Sequence, residues 1–148
     1  MKHYILLLLA ALCFPIALAA QELRIDKVLD GHYRKNVHTT DVIYTGEHLS
    51  GMPISYYHSL TVEDDEQIME AVARAVAADE KYALEKEITR VGQHIFFCFF
   101  RINNYGMGSR YIVFKDMRYA SSGKKQQQTL IYMESTKNPE DVRKMFKK

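Results

Sequence analysis

The sequence predicts an α+β fold in which a mostly antiparallel sheet packs against one long helix and one short C-terminal helix. Two observations carry this prediction. Apolar residues recur at helical spacing through residues 61–78, whereas residues 94–134 contain short β-branched and aromatic runs separated by glycine, asparagine and serine. A last segment, residues 138–146, returns to helical spacing behind an asparagine and a proline.

Residues 1–20 have the three parts of a cleavable secretory signal. A lysine follows the first methionine, an apolar run extends from Tyr4 to Leu12, and small residues up to Ala20 precede polar ones. The run is shorter than the roughly 20 apolar residues of a spanning helix, so we expect cleavage after Ala20, or one residue earlier. Cys13 directly follows this run and is preceded by a leucine, which argues against a lipoprotein cleavage site there.

The rest of the chain, residues 21–148, is long enough for one domain that buries its own core. The formal net charge of the whole chain is +2, and removal of Lys2 leaves 2 − 1 = +1. A nearly neutral chain lacks the basic stripe of nucleic-acid-binding proteins, so we expect no nucleic-acid partner. We expect a periplasmic or extracellular protein without a transmembrane segment after cleavage, whose partner is an envelope or extracellular protein. The sequence leaves the oligomeric state open.

The first part of this domain contains three predicted strands. They cover Glu22–Asp30, which ends at an Asp-Gly turn, Asp41–Thr45 and Ile54–Val62. The polar and basic segment at residues 32–40 separates the first two strands, and we expect it to be exposed.

The long helix is predicted to begin at Thr61. The segment Thr61–Asp64 has capping-box spacing, with aspartate in place of the usual glutamate or glutamine. Acidic residues crowd the first turn, where the helix dipole favours negative charge. The helix should reach at least Ala78 and continue, or kink, as far as Thr89, with Gly92 beyond its end.

Three further strands follow, and their short connections predict an antiparallel meander. Their bounds are His94–Phe100, Arg110–Lys115 and Gln126–Glu134. The first of them is almost entirely apolar, which predicts burial on both faces. Residues 121–125 form a predicted solvated turn, and a short final helix has Asn138 as its N-cap and Pro139 in its first position.

Several short phrases resemble small exported proteins of unknown function from Bacteroidota. The phrases are Ser59–Val62, Asp79 with Lys86–Glu87, Arg110–Phe114, and Leu130–Glu134 before the final helix. The likeness covers most of residues 21–148, and it implies export and the same fold. It implies no catalytic residue, because those proteins have no established activity. Ser135 stands where glycine is more usual in them, which implies a looser last turn.

The candidate ligand-binding residues are Asp79, Tyr56, Tyr57 and Tyr111. Asp79 falls within the apolar stripe of the long helix, where an unpaired carboxylate is costly. It is expected at a kink, in a structural pair with an arginine or tyrosine of the sheet, or as a functional acid. The tyrosines are candidates for an exposed binding patch, and the alternative is that half-buried strands simply use tyrosine.

The sequence contains no motif that indicates a catalytic, metal or cofactor site. The histidines lack the spacing of zinc ligands, although His32 and His38 are close enough in sequence to converge with Asp30. Ser109 lacks the flanking glycines of a nucleophile elbow. Cys98 lies in an apolar run and is expected to be a buried small hydrophobe, the alternative being a reactive thiol.

These observations favour a non-enzymatic exported interaction or accessory domain of the bacterial envelope. The alternative is a small-ligand-binding protein or a hydrolase with a site near Asp79. A concave site with convergent polar groups around Asp79 would favour the alternative, and a filled core there would favour the interaction domain.

Overall fold

The computed structural model describes residues 22–104, 106–120 and 125–146. Its centre is a six-stranded sheet in the order β1-β2-β6-β5-β4-β3, and all neighbouring strands are antiparallel. The strands are β1 (Thr39–Thr45), β2 (Tyr56–Glu63), β3 (Glu85–Val91), β4 (His94–Asn103), β5 (Ser109–Asp116) and β6 (Gln127–Ser135). The α-helices of this part of the chain are α1 (Ile25–Val28), α2 (Glu66–Asp79) and α3 (Pro139–Lys144). The predicted α+β class is confirmed.

Helices cover both faces of the sheet. On the helix face, defined here as the side that packs against α1 and α2, alternate strand residues such as Leu60, Phe100 and Leu130 contact Val72 and Val76 of α2. The residues between them point to the opposite face and form a second apolar cluster. That cluster consists of Leu49, Ile54, Phe99, Tyr111, Val113, Met133 and Val142 of α3.

The three C-terminal strands and the final helix are confirmed. β4, β5 and β6 form the expected meander. Asn138 caps α3 by accepting a hydrogen bond from the N–H of Glu140 at 3.0 Å, and Pro139 occupies the first turn. Ser135 tightens the chain before this helix, because its hydroxyl donates to the carbonyl of Pro53 and accepts from the N–H of Lys137. The looser last turn implied by the resemblance is therefore wrong.

The predicted first strand, Glu22–Asp30, is wrong. This segment contains the one-turn helix α1, and Leu23, Ile25 and Val28 are all buried in the helix-face core. Alternation of Leu23 and Ile25 resembled a strand, but Ile25 and Val28 have the three-residue spacing that places two side chains on one face of a helix.

The predicted start of the long helix and its expected continuation to Thr89 are wrong, whereas the prediction that it reaches at least Ala78 is confirmed. The N-cap is Asp65, whose carboxylate accepts from the N–H of Ile68 at 3.0 Å, while Thr61 lies within β2. The α-helix ends at Asp79 and is followed by a 3-10 turn at Glu80–Tyr82, and β3 occupies the second half of the segment that was expected to continue it. β3 was not predicted, because its acidic and basic residues alternate and are exposed, as they often are on the solvent face of a helix.

Parts of the sequence-based interpretation lie outside the described residues. These are the leader at residues 1–20 and all but the last residue of the turn at residues 121–125.

Candidate functional site

The free edge of β1 is the candidate site. Within the described residues β1 pairs with β2 and with no other strand. The N–H of Glu63 donates to the carbonyl of His38 at 2.8 Å, one step beyond the pair of Thr39 with Val62. Antiparallel ladders alternate between hydrogen-bonded and non-hydrogen-bonded pairs. The even-numbered residues of β1 therefore direct their backbone groups at β2, and the odd-numbered residues direct theirs outward.

The outward backbone groups belong to Asp41, Ile43 and Thr45. Thr39 is also odd-numbered, but its N–H is taken up locally by the carbonyl of Asn36 at 3.2 Å. A row of outward N–H and carbonyl groups is the template on which a strand from another chain adds to a sheet.

The two edges of the sheet differ in charge. β3, at the opposite edge, reads Glu-Lys-Glu-Ile-Thr-Arg-Val. β1 reads Thr-Thr-Asp-Val-Ile-Tyr-Thr and contains no lysine, arginine or proline. Charged side chains and proline are the usual protection of an edge strand against pairing with another chain. β3 has this protection, and β1 lacks it.

The one charged residue of β1 is turned inward. Asp41 Oδ1 lies 2.5 Å from Nε2 of His58, and its Oδ2 accepts from Nε of Arg34 at 3.2 Å. The side chains of Asp41 and His58 are only 4% and 5% exposed. Both contacts hold the carboxylate in a buried position on the helix face. Its charge is therefore not exposed at the strand edge, where it could discourage pairing with another chain. Sequence reasoning missed this pair, because the loop between β1 and β2 leaves their register open.

On the opposite face, aromatic side chains border the same edge. Tyr44 and Tyr57 face each other across β1 and β2, with ring centroids 5.7 Å apart. The ring of His48 lies 6.0 Å from that of Tyr44, which is 44% exposed. Of the candidate tyrosines, Tyr57 lies at this edge, and its neighbour Tyr44 was not among the candidates.

Tyr56 lies on the helix face, beside a shallow cleft of about 250 Å³. Burial, and then the negative charge of Glu134, raise the pKa of Tyr56. The hydroxyl of Tyr132 donates to Glu134 at 2.7 Å, so that carboxylate already has a partner. The residues that line the cleft are Asp26, Leu29, Tyr56, His58, Tyr132 and Glu134.

The chain matches the model of a family of unknown function, DUF6108, over residues 12–146. It belongs to the DUF6108 family. No curated protein and no solved structure matches the chain. Membership of DUF6108 agrees with the resemblance to proteins of unknown function and assigns no activity.

In this DUF6108 chain Asp79 is fully buried and paired. Its Oδ1 accepts from the N–H of Arg24 at 2.8 Å, and its Oδ2 accepts from the N–H of Ile25 at 3.0 Å. The partner is therefore the backbone at the start of α1, and not an arginine or tyrosine side chain of the sheet. Burial raises the pKa of Asp79, against the two hydrogen bonds that lower it. The carboxyl group fastens α1 to the end of α2.

Two other candidates from the sequence are core residues. Tyr111 is fully buried within the second apolar cluster, and burial raises its pKa. Cys98 is buried in the helix-face core, and burial raises the pKa of its thiol to about 12. A thiol with such a pKa contains almost no thiolate at neutral pH, so the expectation of a buried small hydrophobe agrees with the structure.

A buried ionic cluster, which sequence reasoning missed, ties α2 to the sheet. The side chain of Arg118 donates to Asp116 at 2.6 Å and to Glu70 of α2 at 2.9 Å. Gln128 of β6 donates to the carbonyl of Met69 and to Asp116, both at 2.9 Å. Asp116 is fully buried, and its hydrogen bonds offset the free-energy cost of removing its charge from water. These partners are all internal to the fold.

Among residues 22–104, 106–120 and 125–146, no group of histidine, cysteine and acidic side chains has the geometry to hold a metal ion. Asp30 accepts from the backbone N–H of His32, and Asn36 accepts from that of His38, each at 2.8 Å. The helices of the same residues lack the length and apolar character needed to cross a membrane.

Proposed function

We propose that this protein is exported and acts as a non-enzymatic interaction domain that binds an extended protein segment along the free edge of β1. The partner is a protein of the bacterial envelope or the extracellular space. The leader-like residues 1–20 support export. One observation carries the binding role: β3 protects one edge of the sheet with exposed charged side chains, whereas the single charged side chain of β1, that of Asp41, is buried.

Strand addition gives affinity through the backbone and specificity through alternate side chains. Asp41, Ile43 and Thr45 supply outward backbone groups. Ile43 is 42% exposed on the helix face, and Tyr44 is 44% exposed on the other face, so an added strand has an apolar neighbour on each side. Tyrosine is enriched in protein interfaces because it buries a large surface and keeps a polar end.

The alternative of a ligand-binding or hydrolytic site near Asp79 has less support. Asp79 is buried, and both of its oxygens accept backbone hydrogen bonds within the fold. A group that already holds two donors is a structural cap in this arrangement.

Export is tested by fractionating cells that produce the full chain and sequencing the N-terminus of the recovered protein. We expect the protein in the periplasmic or extracellular fraction with Gln21, or the residue before it, as its first residue. An intact leader on protein recovered from the cytosol would contradict the proposal.

Edge binding is tested by changing one outward backbone group. Ile43→Pro removes the outward N–H and leaves the ladder to β2 unbroken, because the hydrogen bonds to β2 come from the even-numbered residues. Ile43→Ala is the matched control, since it shortens the side chain and keeps the N–H. We expect the protein from the exported fraction to lose its bound partner with proline and to keep it with alanine. Equal retention by both variants would contradict edge binding.

A further inference from the structure

We propose that the segment bound along β1 is β1 of a second copy of this chain, paired antiparallel about a twofold axis at Val42. This inference rests on the proposed function, and it names the partner of the same edge. The sheets of the two copies then join into one continuous sheet.

The alternation of inward and outward backbone groups along β1 restricts the register in which a second copy can pair with it. Outward groups belong to odd-numbered residues, so an antiparallel copy must pair odd with odd residues. The register that overlaps all of β1 pairs Thr39 with Thr45 and Asp41 with Ile43 of the second copy. Asp41 and Ile43 of the two copies then exchange both N–H to carbonyl hydrogen bonds, and Val42 meets itself on the axis. A twofold interface requires this kind of self-complementarity.

Side chains fit this register on both faces. Val42 faces its own copy in a non-hydrogen-bonded pair, where side chains approach most closely, and a β-branched apolar pair is favourable there. Tyr44 lies opposite Thr40 of the second copy. Asp41 brings no repulsion, because its carboxylate is buried against Arg34 and His58.

The charged and exposed apolar side chains on either side of β1 also favour a second copy of this chain as the partner. The segment at residues 32–38 contains Arg34 and Lys35 and no acidic residue. In the proposed register this basic segment lies beside the turn that follows β1 in the second copy, which contains Glu47. Val37, which is 93% exposed, lies in this basic segment two residues before β1, at the end of the strand that the turn of the second copy would approach. The two ends of β1 are therefore complementary to each other, as a twofold pair requires.

The test is a charge exchange at the axis, followed by sedimentation equilibrium of protein from the exported fraction. Val42→Lys and Val42→Glu each place two like charges opposite each other, and we expect each variant to dimerise about a hundredfold more weakly than the wild type. An equal mixture of the two variants should restore dimers that contain one copy of each. Thr89→Lys, on the charged edge, is the control and should dimerise like the wild type. Circular dichroism verifies that every variant is folded.

Two results would overturn the second copy as the partner. One is a wild type that stays monomeric at every concentration, and the other is a mixture that dimerises no better than either variant alone. If the wild type is monomeric but Ile43→Pro still releases a different bound protein, this inference fails and the proposed edge binding stands. If Ile43→Pro and Ile43→Ala retain the same partner, the proposed function fails as well.

Discussion

Asp41 and His58 are diagonal neighbours on β1 and β2, and a 2.5 Å contact joins Oδ1 of the aspartate to Nε2 of the histidine. Arg34 takes the second carboxylate oxygen. This arrangement buries the one charge of β1 on the helix face. It thereby leaves the strand edge with backbone groups and uncharged side chains, which is the property on which the proposed binding depends.

A double-mutant cycle on Asp41→Ala and His58→Ala measures this contact. We expect a coupling free energy of about 2 kcal/mol in chemical unfolding, because the pair is buried and charge-assisted. The exposed pair of Asp141 with Lys144, 3.8 Å apart, is the control and should couple by less than about 0.5 kcal/mol. Equal coupling free energies in the two pairs would show that burial does not strengthen the contact of Asp41 with His58.

Proline at two adjacent positions tests which backbone groups of β1 point outward. Val42→Pro removes an N–H that bonds to β2 and should lower the free energy of unfolding by about 3 kcal/mol. Ile43→Pro removes an outward N–H and should lower it by about 1 kcal/mol or less, apart from lost side-chain contact. Thermal or denaturant unfolding of the protein measures both. A larger loss for Ile43→Pro than for Val42→Pro would mean that the odd-numbered residues of β1, and not the even-numbered ones, bond to β2.

Local signals were enough to predict β4, β5, β6 and α3. Their apolar runs, glycine-containing turns and the Asn138 cap are properties of short segments, and the structure has them where expected. α1 and β3 were missed because tertiary contacts decide them. The N-terminus of α1 is bonded by Asp79, which is far away in sequence, and β3 is a strand because it pairs with β4.

The candidate site was harder to predict than the fold. β1 itself was expected, and Tyr57 was among the candidate residues, but the edge position of β1 follows from the strand order. β2 pairs with β6 on its other side, which leaves β1 outermost. The pair of Asp41 and His58 depends on register, and the sequence of an eight-residue strand and its loop does not fix register.

The pH dependence of stability tests the burial of Asp79. Burial raises the pKa of its carboxyl, so the folded protein binds this proton more tightly than the unfolded chain. The stabilising contribution is then fully present below the unfolded pKa of about 3.9 and is lost as pH rises through the folded-state pKa. The difference in unfolding free energy between wild type and Asp79→Asn should fall over that range. Exposed Glu66→Gln is the control, and a difference that grows with pH would contradict the assignment.

Two glycines with positive φ allow a matched test of close packing. A Cβ on Gly108, whose φ is 91°, would lie 2.0 Å from the carbonyl oxygen of Ser135, whereas one on Gly92, whose φ is 61°, would meet nothing within 4 Å. We expect Gly108→Ala to lower the free energy of unfolding by about 3 kcal/mol or more, and Gly92→Ala by about 1 kcal/mol. Similar losses in denaturant unfolding would refute the close approach of Gly108 to the backbone of Ser135.

Amide hydrogen exchange along β1, measured at low and high protein concentration, tests the central claim most directly. The free-edge account predicts that the amides of Asp41, Ile43 and Thr45 exchange rapidly in dilute protein and become protected at high concentration. The amides of Thr40, Val42 and Tyr44 should be protected at both concentrations. Protection of Asp41, Ile43 and Thr45 in the dilute monomer would contradict the account, because it would mean that the edge of β1 is already closed.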